Sequence, residues 1–363
     1  MKVALVYDRV NKWGGAERVL LALHDLYPQA PLYTAVYDPQ SAQWAKVFPQ
    51  VITSFLQRWP LAKKHHELYP WLTPLAFESF DFSGFDLVIS VTSAEAKAII
   101  TKPQTLHLCY CLTPTRYLWS IQKEYLTEPG LGRWLKPWQK HLQKQDLLFA
   151  QRPDKYLAIS KTVQQRIKKY YKREAQVIYP PVGISSKSNI SNISDYFLVV
   201  SRLVNYKKIE LAIKVFNNLK LPLVIVGTGR EERRLRQLAG PTIRFCGQVI
   251  EPELINYYRH CQALIMSQEE DFGITAVEAM ACGRPVISFS CGGTAEAVIA
   301  GKTGIFFNQQ TVDSLQSAVK QFKSRTWDSR LIRHQAEKFN QNIFKQKMKQ
   351  LVEEQWQTFR SKF

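Results

Sequence analysis

Residues 268–293 read Gln-Glu-Glu-Asp-Phe-Gly-Ile-Thr-Ala-Val-Glu-Ala-Met-Ala-Cys-Gly-Arg-Pro-Val-Ile-Ser-Phe-Ser-Cys-Gly-Gly. Two carboxylates, Glu270 and Glu278, stand with seven residues between them, and Gly273 falls inside that interval. The run 276–282 has the composition of a short helix; Gly283 is a natural residue to end it, and Pro285 follows. Val286-Ile287-Ser288-Phe289 then reads as a buried strand. A loop that opens a helix gathers unpaired backbone N–H groups and the positive end of the helix dipole at one place, which favours an anionic ligand. Glu270 can meet that ligand from the loop and Glu278 from the helix. A carboxylate at each end suits a ligand with hydroxyls at both ends and phosphates between them. On the residues alone, the two acids read equally as a helix cap and a solvated helix face.

The rest of the chain sets the frame for that stretch. A length of 363 residues, 45% hydrophobic and 22% charged, predicts a globular protein of two ordinary domains rather than a disordered one. The first residues, Met-Lys-Val-Ala-Leu-Val-Tyr-Asp, read as a strand and not a signal peptide, and no run approaches the length of a membrane-spanning helix. The six cysteines lack paired C-x2-C spacing and sit mostly in apolar runs, so reduced thiols of a cytoplasmic protein are expected, with no metal site and no cofactor.

A net charge of +19 points to an anionic partner. Lysine and arginine are dense over 123–173, where Trp134, Trp138, Leu131, Leu135 and Leu142 are interleaved, with Trp119 just upstream. That pattern suits a peripheral position on an anionic membrane surface, or a solvated basic helix with its tryptophans packed inward. Nucleic acid ranks last, because no nucleic-acid-binding motif accompanies the charge. Residues 59–82, rich in proline and aromatics, read as either a mobile, lipid-facing excursion or core packing.

Apolar runs at 3–7, 32–37, 87–91, 106–111, 156–160 and 176–179 alternate with helical segments, as they do again after 196. This predicts an α/β protein of two Rossmann-like, doubly wound parallel-sheet domains facing a cleft. Pro180-Pro181 and the Ser/Asn-rich stretch 183–195 mark the boundary. The expected first domain is therefore 1–182, with the terminal helix about 341–363 returning to it, and the second is 195–340.

The residues of several loops resemble one family. Glu-Asp-Phe-Gly at 270–273 and Glu-Ala-Met-Ala-Cys-Gly-Arg-Pro-Val at 278–286 are similar to the Glu-x7-Glu signature of family-4 (group 1) retaining glycosyltransferases of the GT-B fold. Arg202-Leu-Val-Asn-Tyr-Lys207 resembles that family's Gly-Arg-Leu-x3-Lys loop, with Ser201 in place of the glycine. Gly14-Gly15-Ala16-Glu17-Arg18 resembles its phosphate-side loop, and Cys109-Tyr-Cys-Leu112-Thr113-Pro-Thr-Arg116-Tyr resembles a loop of its mannosyltransferase-like members. There the family's histidine is Leu112. Three accounts follow: His107 substitutes for it, the donor is a 6-deoxyhexose whose methyl group suits leucine, or turnover is impaired.

The resemblance implies a hexosyltransferase that retains anomeric configuration and uses a nucleotide-diphosphate sugar, with a GDP-sugar favoured. It implies that Arg202, Lys207 and the loop amides offset the charge of the departing diphosphate without metal. It further implies that Glu270 binds donor-sugar hydroxyls, Glu278 binds the ribose, Val249 packs the base, and Phe272, Gly273 and Ile274 orient the donor. By the same resemblance, Gly14 and Gly15 are expected under the diphosphate and beside the acceptor, and Leu112, Thr113 and Arg116 facing donor and acceptor. The acceptor expected is a saccharide or lipid-linked saccharide of a cell-surface polysaccharide, with domain closure excluding water. The competing readings are a sugar-nucleotide epimerase of the same fold and a catalytically silent nucleotide- or membrane-binding scaffold.

Overall fold

The computed structural model describes residues 1–63, 69–119, 136–183 and 193–362. The chain divides into two compact units, Met1–Pro181 with Gln341–Phe363, and Val182–Asn340.

The first unit holds a seven-stranded parallel sheet in the order β3-β2-β1-β4-β5-β6-β7. The strands are β1 (Val3–Tyr7), β2 (Leu32–Thr34), β3 (Val51–Thr53), β4 (Leu87–Thr92), β5 (Leu106–Cys111), β6 (Lys155–Ala158) and β7 (Ala175–Val177). β1 and β4 are central and buried on both faces, which is why they read as unbroken apolar runs. Leu5 pairs with Leu32 on one side and Ile89 on the other. The helix Gly15–Leu26 follows β1, and the helix Gln341–Arg360 packs against it. The Phe344 ring meets Tyr110 of β5 edge-on at 5.9 Å, and Lys345 Nζ reaches Asp25 at 2.8 Å.

Residues 69–82 settle as core on one side only. Phe77 and Phe82 are fully buried, and Phe80, Phe82 and Phe85 surround Tyr33 at 4.8–6.0 Å between ring centroids. Trp59 and Trp71 remain half exposed. Residues 64–68, with His65 and His66, lie outside the described residues. So do 120–135, the centre of the basic segment with Leu131, Trp134 and Leu135, and 184–192 of the expected linker. Trp119 is packed inward: it stacks on Tyr170 at 5.2 Å, and its Nε1 donates to Asp146 Oδ2 at 2.7 Å.

The second unit holds a six-stranded parallel sheet, β10-β9-β8-β11-β12-β13. These are β8 (Phe197–Val200), β9 (Leu223–Val226), β10 (Ile243–Gly247), β11 (Leu264–Met266), β12 (Val286–Phe289) and β13 (Gly304–Phe307). The helices Ile209–Leu219 and Val312–Lys323 cover one face, burying Ile213, Phe216, Leu315 and Val319 against Phe197 and Ile225. Among the described residues no helix is long and apolar enough to cross a membrane.

Candidate functional site

The second unit brings most of the predicted residues to the carboxyl edge of its sheet, where parallel sheets bind ligands. β8 ends at Val200, and the loop after it turns through the short helix Asn205–Lys207 into Ile209–Leu219. Lys208 takes the left-handed conformation there, so the chain reverses sharply and drives Lys207 inward. β11 ends at Met266, and its loop carries Glu270 into the helix Ile274–Ala281. Lys207 Nζ and Glu270 Oε1 form a close ion pair with both side chains largely buried. Gln268 Nε2 donates to the same oxygen at 2.7 Å. A carboxylate fixed by an ammonium and an amide is preorganised for ligand hydroxyls.

Arg202 is placed differently. It lies exposed, its NH2 on the Tyr206 hydroxyl at 2.5 Å and its guanidinium 6.0 Å from that ring. Lys207 Nζ lies 5.5 Å from the same ring. Tyr206 thus sits against both cations, a role with no signal in the sequence.

The 270–274 loop is shaped by glycine at two points. Gly273 has φ +88°, and a Cβ there would stand 2.4 Å from Thr294 Oγ1. A Cβ on Gly292 would stand 2.4 Å from the Glu270 carbonyl, which also accepts from Gly293 N at 2.7 Å. The Gly-Gly turn therefore abuts the loop backbone and holds Glu270 forward. Phe272 is buried with its ring on Phe339 at 5.4 Å, so its side chain anchors the loop, while Gly273 and Ile274 begin the helix. Glu278 lies one turn into that helix, its Oε2 accepting from the Tyr258 hydroxyl at 2.7 Å. Val249 is half-buried just beyond β10.

The remaining predicted residues belong to the first unit. Gly14 caps the helix Gly15–Leu26 in an extended conformation open to any residue; what a side chain would meet is the Glu17 carboxylate at 3.1 Å. Glu17 is buried and accepts from Tyr7 OH at 2.8 Å, and burial raises its pKa. Leu112 is half-buried beyond β5 with its N–H on the Thr92 carbonyl; Thr113 is buried, with no hydrogen-bond partner for its hydroxyl among the described residues; Arg116 is half-buried on the turn that follows.

One account of Leu112 is overturned. His107 is the second residue of β5, at the opposite end of the strand from Leu112, and fully buried, with Nε2 against Ser90 Oγ at 2.8 Å. Burial first, then Arg152 and Arg173, hold its pKa down to about 3. A neutral core histidine inside the sheet cannot replace one at the strand's end.

The six cysteines are free thiols, and among the described residues no cluster of His, Cys, Asp and Glu could hold a metal.

Residues 184–346 match the family described as Glycosyl transferases group 1. An uncharacterised glycosyltransferase of Methanocaldococcus jannaschii is 28% identical over 173 residues, which are 46% of this chain and 48% of that protein. The matched region thus spans about half the length of that relative. The Anabaena protein HepE, solved in complex with UDP, superposes with TM-score 0.69 at 19% identity, covering 98% of this chain and 100% of that one. Sucrose-phosphate synthase from Thermosynechococcus elongatus gives 0.75 at 17% identity, covering 99% and 100%. The fold is GT-B, and the match to the group 1 glycosyltransferases falls on the second unit.

Proposed function

We propose, with that match as premise, that the protein is a retaining, metal-independent glycosyltransferase. It moves a hexose or 6-deoxyhexose from a nucleotide-diphosphate sugar to a saccharide or lipid-linked saccharide in cell-surface polysaccharide synthesis. The observation that carries the reading is the arrangement on the helix Ile274–Ala281. An ion-paired Glu270 stands at its entrance and a hydrogen-bonded Glu278 within it.

In this reading the anomeric C–O bond to the diphosphate breaks and a bond to the acceptor oxygen forms on the same face. The acceptor proton passes to a diphosphate oxygen, so no protein base is required. Lys207 and Arg202 offset the charge released, and the amides at 272–274 direct the donor. Glu270 holds sugar hydroxyls, Glu278 the ribose, and Val249 the base. Gly14, Gly15, Thr113 and Arg116 serve the acceptor side. Leu112, apolar where the family carries histidine, fits a donor with a methyl group at C6.

The sequence resemblance favours a GDP-sugar, whereas the Anabaena relative was solved with UDP. Thermal-shift measurement with GDP, UDP and dTDP decides between them, since a ligand that binds only the folded state raises the melting temperature. One of the three is expected to do so; stabilisation by none would refute the reading. Leu112 also favours a second reading, a nucleotide-binding scaffold without turnover. Nucleotide binding with no sugar release from matched donors would support it.

A further inference from the structure

We propose that an apolar, cationic face of the first unit docks on the surface of an anionic lipid bilayer. The face is carried by the turn Phe55–Arg58, the helix Leu72–Glu78 and the helix Gln139–Phe149. Seven large apolar side chains on or beside these elements are exposed: Phe55, Trp59, Leu61, Trp71, Leu75, Trp138 and Leu148. Leu61 and Leu148 are 65% and 68% exposed, more than any other large apolar residue described except Ile250 at 66%.

The elements that carry these residues are tied together. The helix Leu72–Glu78 packs on the turn Phe55–Arg58, and the Trp59 ring meets Tyr69 edge-on at 5.5 Å. Tyr69 OH donates to the Pro60 carbonyl at 2.7 Å. Trp71 and Leu75 are one helical turn apart and share a face. Arg152, just past the helix Gln139–Phe149, binds Glu78 Oε1 at 2.5 Å, and Phe149 packs on the core that includes Phe77. The opposite faces are anchored by Leu56, Ala76 and Phe77, so the exposed side chains stand on fixed backbone.

Charge selects the partner. Arg58, Lys63, Lys140 and Lys144 are exposed among the apolar residues. No acid occurs in 55–63 or 69–77. The two carboxylates within these elements are occupied, Glu78 by Arg152 and Asp146 by Lys97 at 2.6 Å, and Asp81 stands exposed just past the helix Leu72–Glu78. Four exposed cations interleaved with tryptophan and leucine, outnumbering the exposed acid, match lipid phosphates above acyl chains. No step of sugar transfer depends on this face, so it stands or falls apart from the proposed function.

The test is flotation of the full chain with phosphatidylcholine vesicles, with and without phosphatidylglycerol, at low and high salt. The protein is expected to float with phosphatidylglycerol vesicles and to be released by salt. The double variant Trp71→Ser/Leu75→Ser should weaken this about tenfold, while Ile250→Ser on the second unit leaves it unchanged. Circular dichroism and melting temperature like those of the parent show that the variants are folded. Failure of the parent to float, or flotation of the double variant like the parent, overturns the proposal. So does concentration-dependent self-association that the double variant abolishes without any vesicle binding, which would assign the face to a second copy of the chain.

Discussion

The hydroxyl of Tyr258, on the helix Glu251–His260, donates to Glu278 on the adjacent helix Ile274–Ala281 at 2.7 Å. Tyr258 is 2% exposed, so the bond is shielded from water and fixes the carboxylate's direction. Tyr258→Phe keeps the ring and removes that bond. Affinity for the stabilising nucleotide, measured by calorimetry, is expected to fall about tenfold. The preference for ribose over 2′-deoxyribose nucleotide should shrink with it. If Glu278→Ala loses affinity while Tyr258→Phe does not, the hydrogen bond is dispensable.

Lys207→Met should abolish more than it destabilises. The substitution removes the cation paired with Glu270 while Gln268 still donates to that carboxylate. Sugar transfer is expected to drop by about two to three orders of magnitude, with the chain still folded by circular dichroism. Activity within a few-fold of the parent would remove Lys207 from the chemistry.

Leu112→His tests the reading of the β5 loop. With paired hexose and 6-deoxyhexose donors on the same nucleotide, the preference should move toward the hexose, because a buried C6 hydroxyl would gain a partner. An unchanged ratio of kcat/KM removes the deoxysugar account.

Lys97 and Asp146 form a buried ion pair, 1% and 5% exposed, to which Thr115 and Trp119 also donate. Lys97→Met leaves Asp146 without its cation and should cost about 3–5 kcal/mol in chemical denaturation. Adding Asp146→Leu is expected to restore part of that loss. A cost below about 1 kcal/mol for the single variant would show that the pair is replaceable.

Glu95 gives a pH signature. It is half-buried beyond β4 and accepts from Tyr117 OH at 2.8 Å. Burial first, then the Asp8 charge, raise its pKa to about 7, against the opposing pull of Lys97, the Tyr117 bond and Arg9. Because the folded chain holds this proton more tightly than the unfolded chain, the neutral form favours folding, and that contribution fades as pH rises from about 4.5 to 7. Glu95→Gln should therefore raise the melting temperature by a few degrees at pH 8 relative to the parent and little at pH 4. Equal shifts at both values would locate the titration elsewhere.

Long apolar runs made the central strands legible, and β1, β5, β9 and β12 fall where their residues put them. β3 and β13 escaped. The first is three residues at a sheet edge, and the second begins at Gly304, so it resembles a turn until Ile287 of β12 is seen beside Ile305. In the candidate site, spacing and resemblance pointed to the carboxylates and cations, and the fold brings Lys207 onto Glu270. The groups that aim them, Tyr206, Gln268 and Tyr258, were invisible because each acts on a residue of another segment or through a fold of its own loop. The aromatics of 69–82 divided between core and surface because a short helix gives Phe77 and Leu75 opposite faces, a distinction composition does not carry.

The first unit is built from both ends of the chain, since the helix Gln341–Arg360 packs against Gly15–Leu26 and carries Phe344 to Tyr110. A ribosome delivers residues 182–340 before that helix. The later sheet can thus be complete while the earlier one still waits for its last wall, and the Tyr110 ring stays without its Phe344 partner until that helix emerges. In the living cell this order makes the N-terminal half the one that a chaperone would have to shelter.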